Sequence, residues 1–158
     1  MRTRPCTDDQ LSALLDSVYG RDNRLAISVA AETGLRIDDV LSLPSAAQYR
    51  PVDIIEHKRG VHRVIDLSAG LRSQLQARRC GNTPYLFPGR CHGHRHRTTV
   101  YKAMRRACDG AGLPALSPHS LRKLYAQRLY RRTGDVDYVR RELGHKYIST
   151  TLIYLFLQ

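Results

Sequence analysis

Apolar residues recur at helical spacing along most of this chain, and the breaks between runs mark where each helix stops. Leu11, Leu14, Leu15 and Val18 repeat behind a Thr7–Gln10 capping-box pattern, which predicts an amphipathic helix ending by Gly20. From Arg24 to Thr33 the run Leu-Ala-Ile-Ser-Val-Ala-Ala is apolar nearly all round, as expected of a helix buried mid-fold and stopped at Gly34. Residues 35–44, Leu-Arg-Ile-Asp-Asp-Val-Leu-Ser-Leu-Pro, predict a short helix ended by Pro44. The period then changes. Residues 52–57 and 61–67 are β-branched runs on either side of Lys58-Arg59-Gly60, the pattern of a hairpin with glycine at its turn.

Ser68 to Arg79 reads as a helix with Leu71 and Leu75 inward, and 80–97 as a long loop broken by Pro84, Pro88 and several glycines. Thr98 or Thr99 is expected to cap the next helix, with Val100, Ala103, Met104 and Ala107 inward and Lys102, Arg105 and Arg106 outward. Helices over about 118–132, 135–143 and 149–157 follow, and in the last of them Leu152, Ile153, Leu155, Phe156 and Leu157 are expected to be the buried neighbours of Tyr154. The fold class is α+β, mainly α: a helical domain with a small antiparallel β-sheet.

Composition adds a partner. Lys and Arg outnumber Asp and Glu by 26 to 14, a net charge of +12, and 22 of the 26 are arginine. A planar guanidinium suits bidentate phosphate contacts, so nucleic-acid binding is expected, with Lys102, Arg105 and Arg106 a surface for a DNA backbone. A solubilising surface is the blander account of the same charge. Cys6, Cys80, Cys91 and Cys108 stand far apart without a C-x-x-C pair, as free thiols of a reducing cytosol do. The first residues lack the apolar core of a secretory signal, and no apolar run is long enough to span a bilayer; a cytoplasmic protein without a membrane partner is expected.

Cys91, His92, His94 and His96 are potential zinc ligands, but they crowd one arginine-rich loop and lack a second ligand pair. No carboxylate cluster for two metals and no G-x-x-x-x-G-K-[ST] loop is evident, so no metal and no cofactor is expected. If a chain of this charge were to cut a DNA backbone, cationic side chains would have to steady a five-coordinate phosphorus and move two protons.

Such side chains are present. His119 and Arg122 are three apart after Pro118, which fits a first helical turn, so both lie on one helix face. His145 follows Gly144, and Tyr154 lies nine residues beyond. Arg36 begins a short helix with Asp39 one turn on; an ordinary surface ion pair is the plain account of those two.

The order Thr-Gly-Leu-Arg-Ile-Asp-Asp (33–39), a hairpin lysine, Ser-Pro-His-Ser-Leu-Arg-Lys (117–123), Leu-Gly-His (143–145) and Thr-Thr-x-x-Tyr (150–154) resembles the tyrosine recombinases, the phage-integrase family of site-specific DNA recombinases. Tyr85-Leu86-Phe87-Pro88 is similar to that family's Leu-Phe-Pro loop anchor. The resemblance covers essentially all 158 residues. It implies that Arg36 and Arg122 clamp the non-bridging oxygens, that His145 donates to one of them, and that Tyr154 is the nucleophile. His119 would accept a proton, Lys58 would protonate the departing 5′ oxygen, and Asp39 would support the site from behind. Lys123, where the family more often has a second histidine, would contact phosphate.

The product would be a 3′-phosphotyrosyl bond and a free 5′ hydroxyl, rejoined without ATP. Double-stranded DNA is the implied partner, with self-association on DNA as a synaptic tetramer. Only Leu155 to Gln158 follow the tyrosine, and the chain begins where the family's catalytic domain begins. A catalytic domain over 1–158 lacking the N-terminal core-binding domain is therefore expected. A type IB topoisomerase-like enzyme, a DNA-binding module without turnover and a metal-dependent protein using the histidine loop are the other readings.

Overall fold

A computed structural model describes residues 4–58, 60–78, 81–90 and 93–156. Eight α-helices lie among them, α1 (Asp8–Ser17), α2 (Arg21–Thr33), α3 (Ile37–Leu41), α4 (Ala69–Gln76), α5 (Arg97–Gly110), α6 (Pro118–Thr133), α7 (Val136–Glu142) and α8 (Ile148–Phe156): the first six share the main apolar core, and α7 and α8 close a smaller one with the second half of α6. Strands β1 (Val52–Ile55) and β2 (His62–Ile65) form an antiparallel hairpin in which Val52 pairs with Ile65 and Ile55 with His62. The mainly helical α+β class is the one the periodicity predicts.

Local signals set most boundaries. At α1, the Thr7 hydroxyl accepts from Gln10 N at 3.2 Å and the Gln10 side chain accepts from Thr7 N at 3.1 Å, satisfying two otherwise orphaned donors. Helix α2 is largely buried from Leu25 onward and packs on α6. It stops at Gly34, whose φ of 65° a side chain rarely tolerates. A second constraint acts there: a Cβ on Gly34 would stand 2.2 Å from the Tyr125 ring. Leu86 and Phe87 anchor the long loop in the core, where Leu86 N donates to Leu43 O at 2.7 Å.

Four expectations are corrected. The short third helix ends at Leu41, three residues before Pro44, because Ser42 closes it with N–H bonds to Asp38 O and Val40 O. The strands are shorter than the β-branched runs, since the turn closes on Glu56: its N–H donates to Val61 O and its carbonyl accepts from Gly60 N. The α5 cap is His96, whose ring nitrogen accepts from Thr98 N, so neither Thr98 nor Thr99 caps it. Leu152, Ile153 and Phe156 are exposed, Phe156 by 55% even though its ring edge meets Tyr130, because α8 buries only Thr151 and Leu155 against α6 and α7. Leu157, Gln158, Arg59, Cys80, Cys91 and His92 lie outside the described residues. Cys6 and Cys108 are buried free thiols, and burial pushes that of Cys6 up to about 11.

Candidate active site

Helix α6 contributes the most deeply set cation. Pro118 occupies its first turn, and Ser120 Oγ accepts from Ser117 N at 3.2 Å, fixing the start from which His119, Arg122 and Lys123 project. Arg122 is only 2% exposed. One end of its guanidinium donates to Gly34 O at 2.5 Å and the other to Leu143 O, so it fastens the α2–α3 junction to the end of α7. Burial first, then the repulsion of Arg36, brings its pKa down to about 10, with Glu56 and Tyr154 pulling the other way. It is charged at neutral pH, and each terminal nitrogen keeps a second proton for an anion.

The short α3 holds the hairpin by two points. Arg36, at its N-cap, donates to Glu56 Oε2 at 2.6 Å, while Asp39, one turn on, accepts from the His57 backbone N–H at 2.9 Å and pairs with its ring at 2.9 Å. Arg36 and Asp39 therefore do not form the surface pair with one another that their spacing permits; each grips a neighbouring hairpin residue, and Asp39 is buried. Lys58 comes next and is exposed at the turn.

His145 is buried beneath α8. Gly144, with φ 58°, ends α7, and the His145 N–H closes back on Arg140 O at 2.9 Å, turning the imidazole inward. Its Nδ1 shares a 3.0 Å hydrogen bond with Thr151 Oγ1. One helical turn further, the Tyr154 ring meets the imidazole edge-on with centroids 4.7 Å apart. Lys123 is buried too, its ammonium 5.7 Å from the centroid of the same tyrosine ring. It thus belongs beside Tyr154 and away from the outer stripe of basic residues.

His119 registers the convergence. Its pKa is lowered, by burial and then by Arg122, Arg36, Lys58 and Lys123 in turn. Four cations from three separate stretches of chain act electrostatically on this one imidazole and, after burial, disfavour its protonated form. Arg36, Lys58, His119, Arg122, Lys123, His145 and Tyr154 share one location.

Lys102, Arg105 and Arg106 lie apart from this cluster on the solvent side of α5. Lys102 and Arg105 line a groove with Arg4 and Tyr101 that reaches Ser117 at the foot of α6. Among the described residues no three His, Cys, Asp or Glu side chains are placed to hold a metal ion. In the loop, His94 packs edge-on against Tyr85 with centroids 5.5 Å apart, and His96 serves as the α5 cap.

Several participants escaped the sequence reading. Glu56 is buried and takes both Arg36 and Arg63, and Arg63 goes on to Thr33 O at 3.0 Å and Glu142 at 3.3 Å. An acid two residues before the hairpin lysine was the available signal for Glu56. The carbonyls of Gly34 and Leu143 left none, because main-chain groups carry no residue code.

The chain has relatives among known proteins. The model of the phage integrase family matches residues 6–158. The tyrosine recombinase XerC of Erythrobacter litoralis (strain HTCC2594) is 34% identical over 152 residues, covering 92% of this chain and 45% of its own. XerD of Rhizobium meliloti (strain 1021) is 32% identical over 139 residues, 81% of this chain and 45% of that protein. Among solved structures, that of XerA recombinase superposes with a TM-score of 0.80 at 23% identity over 98% of this chain and 59% of that one. A lambda integrase dimer bound to a COC′ core site gives 0.78 at 22% identity, over 98% of this chain and 48% of that one. The chain belongs to the phage integrase family, the tyrosine recombinases. It spans about half the length of the curated relatives it matches. No helix among the described residues is long and apolar enough to cross a membrane.

Proposed function

We propose that this chain is a tyrosine recombinase catalytic domain that cuts and rejoins double-stranded DNA at a specific site through a covalent 3′-phosphotyrosyl intermediate, in the cytoplasm and as a self-associated assembly on DNA. The observation that carries the reading is the gathering of Arg36, Arg122, Lys58 and Lys123 around His119, with Tyr154 against His145. Family membership and the DNA-bound recombinases among its structural neighbours support the partner.

In the proposed reaction the Tyr154 oxygen attacks phosphorus and its proton passes to His119, whose protonated form burial and then the neighbouring cations disfavour until that transfer. Extra negative charge on the non-bridging oxygens is met by Arg36 and Arg122 and by a hydrogen bond from His145. Lys58, at the exposed hairpin turn, protonates the 5′ oxygen as its bond to phosphorus breaks. Lys123 stabilises the tyrosine oxygen and the adjoining phosphate. One ester bond replaces another, so reversal by the 5′ hydroxyl reseals the strand without ATP. Asp39 keeps the hairpin seated, and Lys102, Arg105 and Arg106 hold the backbone further along the duplex.

The test is a nicked half-site duplex, selected from randomised duplexes by binding to the Tyr154→Phe protein and then incubated with the unaltered chain. A denaturation-resistant protein–DNA species that Tyr154→Phe abolishes is expected. Tight binding with no such species would sink the cleavage reading.

A further inference from the structure

Glu56 is the one acid whose carboxylate touches an arginine of the candidate clamp among the described residues. Its position is unusual for a carboxylate: it directly follows β1, is buried, and lies in a site dominated by cations. A buried charge is retained only where partners compensate for its lost hydration, and here there are two, Arg36 at 2.6 Å and Arg63 at 3.4 Å. The same residue closes the turn carrying Lys58 through its backbone, with Glu56 N donating to Val61 O at 3.0 Å and Gly60 N donating to Glu56 O at 2.9 Å. One residue therefore joins the phosphate-clamping arginine of α3 to the turn bearing the candidate acid. Arg63 extends the tie to the end of α2 and to α7.

We propose that Glu56 is a positioning residue for strand cleavage: its carboxylate aims Arg36 at the scissile phosphate and locks the Lys58 turn against α3, without itself touching DNA. The inference rests on the cleavage function proposed above. A guanidinium held at one nitrogen by a carboxylate keeps its other edge preset for a phosphate, so less ordering remains when DNA arrives. Released from Glu56, Arg36 would retain its charge and still attract DNA, but would reach the transition state in many orientations. Binding and chemistry should therefore separate.

The experiment compares the unaltered chain, Glu56→Gln, Arg36→Lys and the double variant by single-turnover formation of the covalent species on the selected nicked half-site. Half-site affinity and thermal melting are measured beside it. Glu56→Gln is expected to slow adduct formation about ten- to a hundredfold, the range spanned by a charge-assisted hydrogen bond, with affinity kept within about twofold. Added to Arg36→Lys, it should slow the reaction by less than about twofold, because the path through Arg36 is already lost. Should Glu56→Gln fail to fold, Glu56→Asp keeps the charge but withdraws the carboxylate by one carbon, and the same loss of rate at kept affinity is expected. Adduct formation at the unaltered rate, or an equal slowing with and without Arg36, would overturn the inference while leaving the cleavage function standing. No adduct from the unaltered chain on a bound half-site overturns both.

Discussion

Arg122 and Lys123, early in α6, and the cations on the outer face of α5 carry the same formal charge per side chain and differ in setting. Arg122 is removed from water and bonded at both ends to main-chain carbonyls, and Lys123 is packed over a tyrosine ring. Lys102, Arg105 and Arg106 stand in solvent. A desolvated, fixed cation meets charge at full strength and needs no reorganisation during the reaction, whereas a hydrated one is screened within about 10 Å at ordinary salt. The first group should govern rate and the second affinity.

The widest gap between the two groups should appear with Arg122→Lys. An ammonium keeps the charge but cannot span Gly34 O and Leu143 O together. Adduct formation should fall by roughly a hundredfold or more, and unfolding should show a loss of about 2 kcal/mol for the stranded carbonyls. Retention of the rate in single-turnover assays would erase the distinction. Next in size is Gly34→Ala, which forces a side chain into left-handed backbone and into the Tyr125 ring. A loss of about 2 kcal/mol in denaturant melts is expected, with slower cleavage because the same residue's carbonyl orients Arg122.

Acidity gives a smaller and graded effect. The proposed role of His119 as proton acceptor requires a neutral ring, and its pKa lies below the ordinary 6.5, so the neutral form dominates at pH 7 and persists somewhat beneath 6.5. The cleavage rate should therefore hold on mild acidification and fall at lower pH. His119→Gln should lower the rate and remove that acid limb; an unchanged limb would assign the proton elsewhere. Smallest are the single changes Lys102→Ala, Arg105→Ala and Arg106→Ala. Each should weaken half-site binding a few fold and reduce the slope of log affinity against log salt by about one. If any of them slows the bound complex as Arg122→Lys does, the outer face belongs to the chemistry as well.

The same contrast explains what could be read from residues alone. Helices were legible wherever an apolar stripe met a stop, as at Thr33–Gly34 and Thr133–Gly134, because both signals are local. The candidate site could be singled out through its side chains, since Arg36, His119, Arg122, His145 and Tyr154 stand at motif spacings. Partner choice was not legible. Arg36 has Asp39 one turn away in sequence yet bonds Glu56 across twenty positions, a choice made by where β1 ends against α3. The apolar run 152–156 misled for a related reason: hydropathy says that a residue prefers burial, but a nine-residue helix resting on two others has one covered side. Lys123 sits over Tyr154 because α6 and α8 pack together, which neither segment's pattern announces.

The preference for arginine leaves only four lysine side chains among these 158 residues. Lys58, Lys102 and Lys146 are open to solvent, and Lys123 is shut in against the tyrosine. An acylating reagent applied briefly to the folded chain would thus write a three-letter record of which surfaces are covered. DNA in the cleft would blank the hairpin mark, DNA along α5 would blank the second, and the appearance of a fourth mark would report that α8 had lifted.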